Sequence, residues 1–583
     1  MQSYRMIFPY FRQGLISLFV GVVLLLSVDF LQLFIPRFIK RAIDDLTAKQ
    51  TLVPGLVKYV LLILGTALLI FIFRMIWRRL IFGQTRRIEE ALRNRLFQHL
   101  LGLSQSYYHR TSIGDLMAHA TNDIEAVRLA LGMGLVSLVD SLVLGSAAIA
   151  FMACINLKLT LISLWPVPLA AFLTQRLSKL LQQQFEMVQG TFSKIMEKVR
   201  ESLVGIMFVK AYTLQEREEE KLAHFSSQYQ DQNIGLARIT STLFPLSILM
   251  TNLSLAVVLW IGGKQVITKE ITAGDFVAFI SYLGLLSWPV TALGWGINLI
   301  KRGAVSLERI ERILKERPEI ADLPGLTAPS LSRTAMQVKD LTFSYFKGER
   351  PVLNGVSLEI AIGRTYMITG KTGSGKTTLG MLMVRLLEPS YGSIFLDGYE
   401  IHSIPLSELR KTVSLIPQEP FLFSDTIRAN LLLTRPEAKE EDLREVLHAA
   451  AFQEEVQTFP QGLDTVVGEK GVLLSGGQKQ RLSLARALLV NPSILILDNT
   501  LSSVDLNTER VIQEALVRFR KGRTTVYISH RLVGWEGVDT IFLLEEGGLA
   551  ESGSHEQLLA QQGLYSRLYQ YQRLEMELRQ GVF

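Results

Sequence analysis

Gly370-Lys371-Thr372-Gly373-Ser374-Gly375-Lys376-Thr377 stands between an apolar run ending Tyr366-Met367-Ile368 and a second run, Leu379-Gly380-Met381-Leu382-Met383-Val384, that reads as a helix. Strand, glycine loop and helix in that order are the context a phosphate-binding loop requires. Small side chains let the backbone N–H groups wrap around a chain of phosphates, while Lys376 reaches the terminal phosphates. The Thr377 hydroxyl, with Thr378 beside it, is placed to meet Mg2+. The stretch therefore predicts a nucleoside triphosphate site with Mg2+ as its ion.

The surrounding chain divides by composition. Its 583 residues exceed what one core sustains, so at least two domains are expected. A mean hydropathy of +0.26 with 48% hydrophobic residues is high for a water-soluble protein, and the apolar excess lies almost entirely before residue 305. The net charge of +7 is spread around apolar segments and forms no dedicated basic arm, which points to membrane headgroups and not to nucleic acid. The single cysteine, Cys154, excludes an intrachain disulfide, and no Cys/His cluster suggests a metal centre.

Residues 1–12 mix Tyr4, Phe8, Tyr10 and Phe11 with Arg5 and Arg12, the pattern of an interfacial anchor leading into an uncleaved span. Six stretches are long enough to cross a bilayer: 14–36, 55–77, 132–154, 158–174, 239–262 and 275–300, the fourth kinked at Pro166 and Pro168. The amino terminus and the long connections 79–130 and 175–238 carry most of the flanking Lys and Arg, so they are expected to face the cytoplasm. Those connections are helical in pattern, so the membrane helices should extend beyond the bilayer. Asp29 and Asp140 fall within apparent spans, where a carboxylate is costly unless it faces a cavity or a partner. They line a route for cationic or amphipathic molecules or pair structurally with a nearby Arg, and both readings stay open. Trp288 and Trp295, seven apart on one helical face, read as packing.

A domain 1–305 is thus all-α and polytopic, residues 306–335 are a charged, then Pro- and Ser-rich linker, and 336–583 alternate strand and helix patterns as an α/β nucleotide-binding domain does. Strands are expected at 336–345, 365–369, 413–416, 494–497, 525–528 and 541–544. The apolar run Ile494 to Leu497 ends in Asp498, placing a carboxylate beside phosphate-bound Mg2+. Leu474-Ser475-Gly476-Gly477-Gln478 opens a helix, and Ser475, Gly476 and Gly477 at its start make a second anion site. One phosphate loop plus a separate anion-binding turn suggests that the turn serves a nucleotide held by another copy.

The order GKTGSGKT, IPQEP, LSGGQ, ILILDN, ISH resembles the nucleotide-binding domain of an ATP-binding cassette (ABC) transporter, and with six spans ahead of it the chain resembles an exporter-type half-transporter. The resemblance covers nearly the whole chain and rests most heavily on LSGGQ downstream of the phosphate loop. It implies ATP and Mg2+ as ligands, Tyr345 stacking on adenine, Gln418 touching Mg2+ and the attacking water, and His530 meeting the terminal phosphate. It implies that Ser475 to Gln478 contact nucleotide and that Leu501 to Asp505 cross between two cassettes. It further implies that Thr465 to Gly471 meets intracellular loops, and that Ser112 to Leu116 and Gly205 to Thr213 couple the cassette to the membrane helices.

One position departs from the pattern. Asn499 follows Asp498 where hydrolytic members carry Glu; a carboxylate can take a proton from the attacking water, whereas an amide can only orient it. Hydrolysis at this chain's own site is expected to be impaired, and a heterodimer with a second half-transporter is expected. The predicted function is ATP-driven export of hydrophobic or amphipathic molecules across a bacterial inner membrane by alternating access. A gated channel or regulatory subunit, or a homodimeric lipid flippase, is the alternative.

Overall fold

The computed structural model describes residues 8–48, 53–322, 325–326, 329, 335–346, 348, 350–468, 474–532 and 537–579. Tyr4 and Arg5 of the expected anchor and Glu469 to Gly471 of the expected loop-contacting segment lie outside the described residues. The chain forms two units, Met1–His99 with Gly114–Lys315, and Leu100–Ile113 with Glu316–Phe583.

The first unit is helical. Among the described residues, five helices are long and apolar enough to cross a membrane: Leu15–Thr47, Gly55–Gly102, Ile113–Ile155, Ile248–Ile267 and Ala273–Lys315. The expected fourth span is divided, because the helix Leu157–Leu164 stops at Trp165 and the helix Pro166–Val204 starts there with proline in its first turn. At 50 residues, the helix Val53–Gly102 is about 75 Å long at 1.5 Å per residue, far beyond a hydrocarbon core of about 30 Å. Its outward face, with Leu61, Leu64, Leu68, Phe71 and Met75 exposed, has lipid as its natural solvent.

Close helix crossing here depends on small residues. A Cβ on Gly303 would lie 2.3 Å from that of Ala130, and one on Gly296 would lie 3.0 Å from Ser137 Cβ. Small side chains let backbones approach where lipid supplies no hydrophobic drive. Phe279, Tyr282, Ala148, Met152 and Leu33 form the centre of this packing, and Tyr282 Oη donates to the Leu33 carbonyl at 2.8 Å. The expected linker 306–335 begins too early. The helix Ala273–Lys315 runs on through its first residues because Leu307, Ile310 and Ile313 recur at helical spacing and are buried.

The second unit holds β1 (Met336–Phe343), β2 (Leu353–Ile360), β3 (Thr365–Gly370), β4 (Ile394–Leu396), β5 (Tyr399–Glu400), β6 (Val413–Ile416), β7 (Asp425–Thr426), β8 (Val466–Val467), β9 (Ile494–Asp498), β10 (Thr524–Ile528), β11 (Thr540–Glu545) and β12 (Gly548–Gly553). A six-stranded sheet runs β12-β11-β3-β10-β9-β6, parallel except for the β12 edge. A second sheet runs β2-β1-β4-β5 in antiparallel pairing. The strands expected from apolar runs are those of the parallel sheet, together with β1. Every residue of β9 and β10 is buried, so they read as continuous hydrophobic runs. Strands β2, β4, β5, β7, β8 and β12 were not expected, since they are short or carry polar residues on a solvated face. The segment Leu100–Ile113 joins this unit: Ser104 Oγ accepts from the Ile320 N–H at 3.0 Å, Arg110 pairs with Glu319 at 3.3 Å, and Ser106 donates to Glu319.

Candidate nucleotide site

The phosphate loop leaves the carboxyl end of β3, and β10, β9 and β6 lie beside it in parallel, so the chain segments that follow those strands converge on one edge of the sheet. Ligands of open α/β sheets bind there. Asp498 ends β9, His530 follows β10 by two residues, and Gln418 follows β6 by two and is exposed. Backbone hydrogen bonds from Ser529 to the Ile368 carbonyl (3.1 Å) and from Asn499 to the Ile528 carbonyl (2.8 Å) hold these strand ends in line.

In the loop, Gly370, Gly373 and Gly375 have φ of 145°, 85° and 92°. Side chains are penalised in such a backbone, and glycine is not. A Cβ at Gly370 would lie 2.1 Å from the Leu544 carbonyl and one at Gly375 2.6 Å from the Leu353 side chain, whereas at Gly373 it would meet nothing within 4 Å. The loop is thus packed against protein beneath and open above, the shape of a cradle for anionic oxygens. Lys371 and Thr372 are exposed on it, and Ser374 is buried within it. Lys376, first residue of the helix Lys376–Met383, folds its ammonium back onto the Gly370 and Lys371 carbonyls at 2.8 and 2.7 Å. Burial lowers its pKa, with the Asp498 charge opposing. Burial also raises the Asp498 pKa, and a hydrogen bond from Thr377 and the Lys376 charge oppose that. A cation, a hydroxyl and a carboxylate therefore meet at the loop, a donor set that fits triphosphate with Mg2+.

Tyr345 Oη lies 3.0 Å from Thr378 Oγ1, and the ring packs edge-on against Phe343 while staying 39% exposed. A flat face is thereby offered beside the phosphate loop. His530 has its pKa lowered by burial and then by the positive charges of Arg531 and Lys376, which keeps the imidazole neutral near pH 7.

Asn499 has φ of 48°, a left-handed conformation that asparagine tolerates better than most residues. It borders a small cavity with Ser502, Ser529, Glu509 and Arg531. The Glu509–Arg531 pair, 3.2 Å apart, was not foreseen; Glu509 is buried, and burial raises its pKa against the pull of Arg531. The one available signal was the arginine directly after His530.

The second turn is built differently. Ser475 Oγ accepts from the Gln478 N–H and Gln478 Oε1 from the Ser475 N–H, a reciprocal cap on the helix Gly476–Val490. The Gln478 amide also donates to Glu455 at 2.7 Å. Buried Gln480 ties this helix to the 501–505 loop, donating to Ser502 Oγ at 3.2 Å and accepting from the Ser503 N–H at 3.0 Å. Ser475 and Gly476 remain exposed.

Fold and site together define a phosphate-loop ATPase unit fused to a polytopic helical membrane unit. The family model for the ABC transporter transmembrane region matches residues 18–290, and the family model described as ABC transporter matches residues 353–502. A probable multidrug resistance ABC transporter ATP-binding/permease protein, YheI of Bacillus subtilis, is 35% identical over 556 residues, 95% of each chain. The multidrug resistance-like ATP-binding protein MdlA of Escherichia coli is 35% identical over 98% of this chain and 96% of its own. The ATP-dependent lipid A-core flippase of Chromohalobacter salexigens is 32% identical over 84% of this chain and 85% of its own. A solved bacterial Atm1-family ABC exporter with ATP bound superposes with a TM-score of 0.78 at 27% identity, covering 96% of this chain and 98% of that one. The chain belongs to the ABC transporter family, and it is a half-transporter of the exporter type.

Proposed function

We propose that this chain is the weakly hydrolysing half of a heterodimeric exporter of hydrophobic or amphipathic molecules, lying in a bacterial inner membrane with its amino terminus and ATPase unit in the cytoplasm. ATP, bound with Mg2+, supplies the free energy that distinguishes the two access states. Backbone N–H groups of Gly370 to Thr378 and the Lys376 ammonium hold the phosphates. Thr377, Asp498 and Gln418 hold Mg2+ or its waters, Tyr345 stacks on the base, and neutral His530 donates or accepts at the terminal phosphate. Ser475, Gly476 and Gly477 serve the nucleotide of the second subunit.

The observation that supports the heterodimer is Asn499 directly after Asp498, beside an intact Ser475 to Gln478 turn. At its own site no carboxylate at 499 takes the proton of the attacking water, while the turn completes a site whose carboxylate belongs to the partner. The decisive measurement is the ATPase rate of the full chain purified alone and with a candidate second half-transporter. Little hydrolysis alone and brisk hydrolysis when paired are expected; brisk hydrolysis alone sinks the heterodimer. Asn499→Glu should raise the rate of the chain alone, despite a left-handed backbone that costs a longer side chain about 1 kcal/mol.

A further inference from the structure

His530 is exposed on the short segment that leaves β10, so the backbone beneath it, more than packing around it, decides where its ring stands. Upstream, that backbone is anchored by the Ser529 N–H on the Ile368 carbonyl at 3.1 Å. Downstream, Arg531 reaches Glu509 at 3.2 Å and the Ser502 carbonyl at 3.4 Å. Leu532, only 4% exposed, then enters an apolar cluster with Leu558 and Tyr565.

The helix Leu564–Arg579 packs on that cluster through one face. Tyr565, Leu568 and Tyr569 recur at the spacing of a buried stripe, and the next position of the stripe is Gln572. An apolar side chain would continue the pattern, yet this one carries a carboxamide. Its Oε1 accepts from the Leu532 N–H at 2.7 Å, and its Nε2 donates to the His530 carbonyl at 2.7 Å. Those two main-chain groups flank Arg531 and lie past the end of β10, where no strand ladder pairs them. A backbone N–H or carbonyl taken out of water without a partner is costly, and one side chain here satisfies one of each. The amide fits in a single orientation: turned over, its N–H would face the Leu532 N–H and its oxygen the His530 carbonyl.

We propose that Gln572 is a positioning residue for His530, a two-point clamp from the helix Leu564–Arg579 on the main chain that aims the imidazole at the terminal phosphate of ATP. Gln572 acts on the nucleotide only through that imidazole. This deepens the proposed reading of the nucleotide site and rests on it for what His530 meets. ADP lacks the terminal phosphate, so the clamp matters for ATP and not for ADP.

The test photolabels the full-length dimer, as isolated from its membrane and held in lipid nanodiscs, with azido-ATP in the cold. Displacement by ATP and by ADP is read on this subunit alone. Gln572→Met keeps the length of the side chain and removes both polar contacts. It should lower ATP affinity about two- to tenfold, the worth of one hydrogen bond, and leave ADP affinity unchanged. Gln572→Glu, which sets an acceptor against the His530 carbonyl, should lower ATP affinity at least as far. His530→Ala should also lower the ratio of ATP to ADP affinity, and adding Gln572→Met to it should lower the ratio no further. Equal loss of ATP and ADP binding in both Gln572 variants overturns the proposal, because Gln572 then only supports the fold, and an additive double variant overturns it as well. Hydrogen exchange of the peptide spanning Ser529 to Leu532 separates the clamp from the role of His530. Faster exchange in Gln572→Met, with the affinity ratio unchanged in Gln572→Met and in His530→Ala, upholds the clamp and removes His530 from the terminal phosphate. A ratio that falls in His530→Ala alone removes the clamp and keeps that reading, and exchange as slow in Gln572→Met as in wild type removes the clamp too.

Discussion

Two glycine turns of the ATPase unit each present backbone N–H groups at a helix start, and they are built on opposite principles. In Gly370 to Thr377 the chain takes positive φ at three glycines, so the conformation itself demands glycine. In Leu474 to Gln478 no residue has positive φ; a Cβ at Gly477 would lie 2.8 Å from the Ser503 carbonyl, so glycine there is demanded by a neighbour. The first is a nest that carries its shape in local backbone. The second is an ordinary capped helix start whose position is set by Gln480 and the 501–505 loop. Damage to the first should therefore stay within this chain's own site, and damage to the second should appear in the site completed with another subunit.

Lys376→Ala gives the largest break in that comparison. It removes a charge-assisted contact worth about 1.5–3 kcal/mol, so ATP photolabelling of this subunit should fall about 10- to 100-fold, with the Ser475 turn unaffected. Unchanged labelling would mean that the ammonium stays on the Gly370 and Lys371 carbonyls when nucleotide binds. Gly477→Ala comes next. Photolabelling of this subunit should hold, while the ATPase rate of the assembled dimer drops several-fold; equal loss of both would mean that the turn supports the fold and not a shared site.

Tyr345 sharpens the description of the first turn. Stacking contributes about 0.5–1.5 kcal/mol, so Tyr345→Ala should weaken nucleotide binding up to about tenfold, and Tyr345→Phe should lose only the Thr378 contact. If Phe and Ala behave alike in a fluorescent-nucleotide titration, the hydroxyl and not the ring is the contact. The smallest effect belongs to His530. Its folded pKa lies below the unfolded value of about 6.5, so the unfolded chain takes up the proton first. Stability should decline as pH falls through about 6.5 and level off below the folded pKa. His530→Gln should flatten that portion of a urea-midpoint profile between pH 8 and 5. An unchanged slope would place the imidazole in a more open setting.

Much of this protein was legible without coordinates because its signals are local. A phosphate loop needs contiguous residues, a buried parallel strand needs a contiguous apolar run, and a membrane span needs length and hydropathy alone. Hence the strand–loop–helix unit around Lys376, the carboxylate ending β9 and the fused two-part architecture could be read along the chain. Short strands such as β4 and β5, and the helical continuation through Lys315, escaped because pairing and packing partners, not composition, make them regular.

Only the tertiary structure decided which distant groups meet. It sets Glu509 against Arg531, gives Asn499 its left-handed backbone, and spends Gln478 on a cap and on Glu455. It brings Asp29 and Asp140 from two helices onto one cavity wall with Trp288 and Trp295. The physical reason is the range of the interactions: backbone preference and hydropathy act within a turn or a span and are written in adjacent residues, whereas the charge, burial and hydrogen bonding of a side chain depend on neighbours that sequence order does not name.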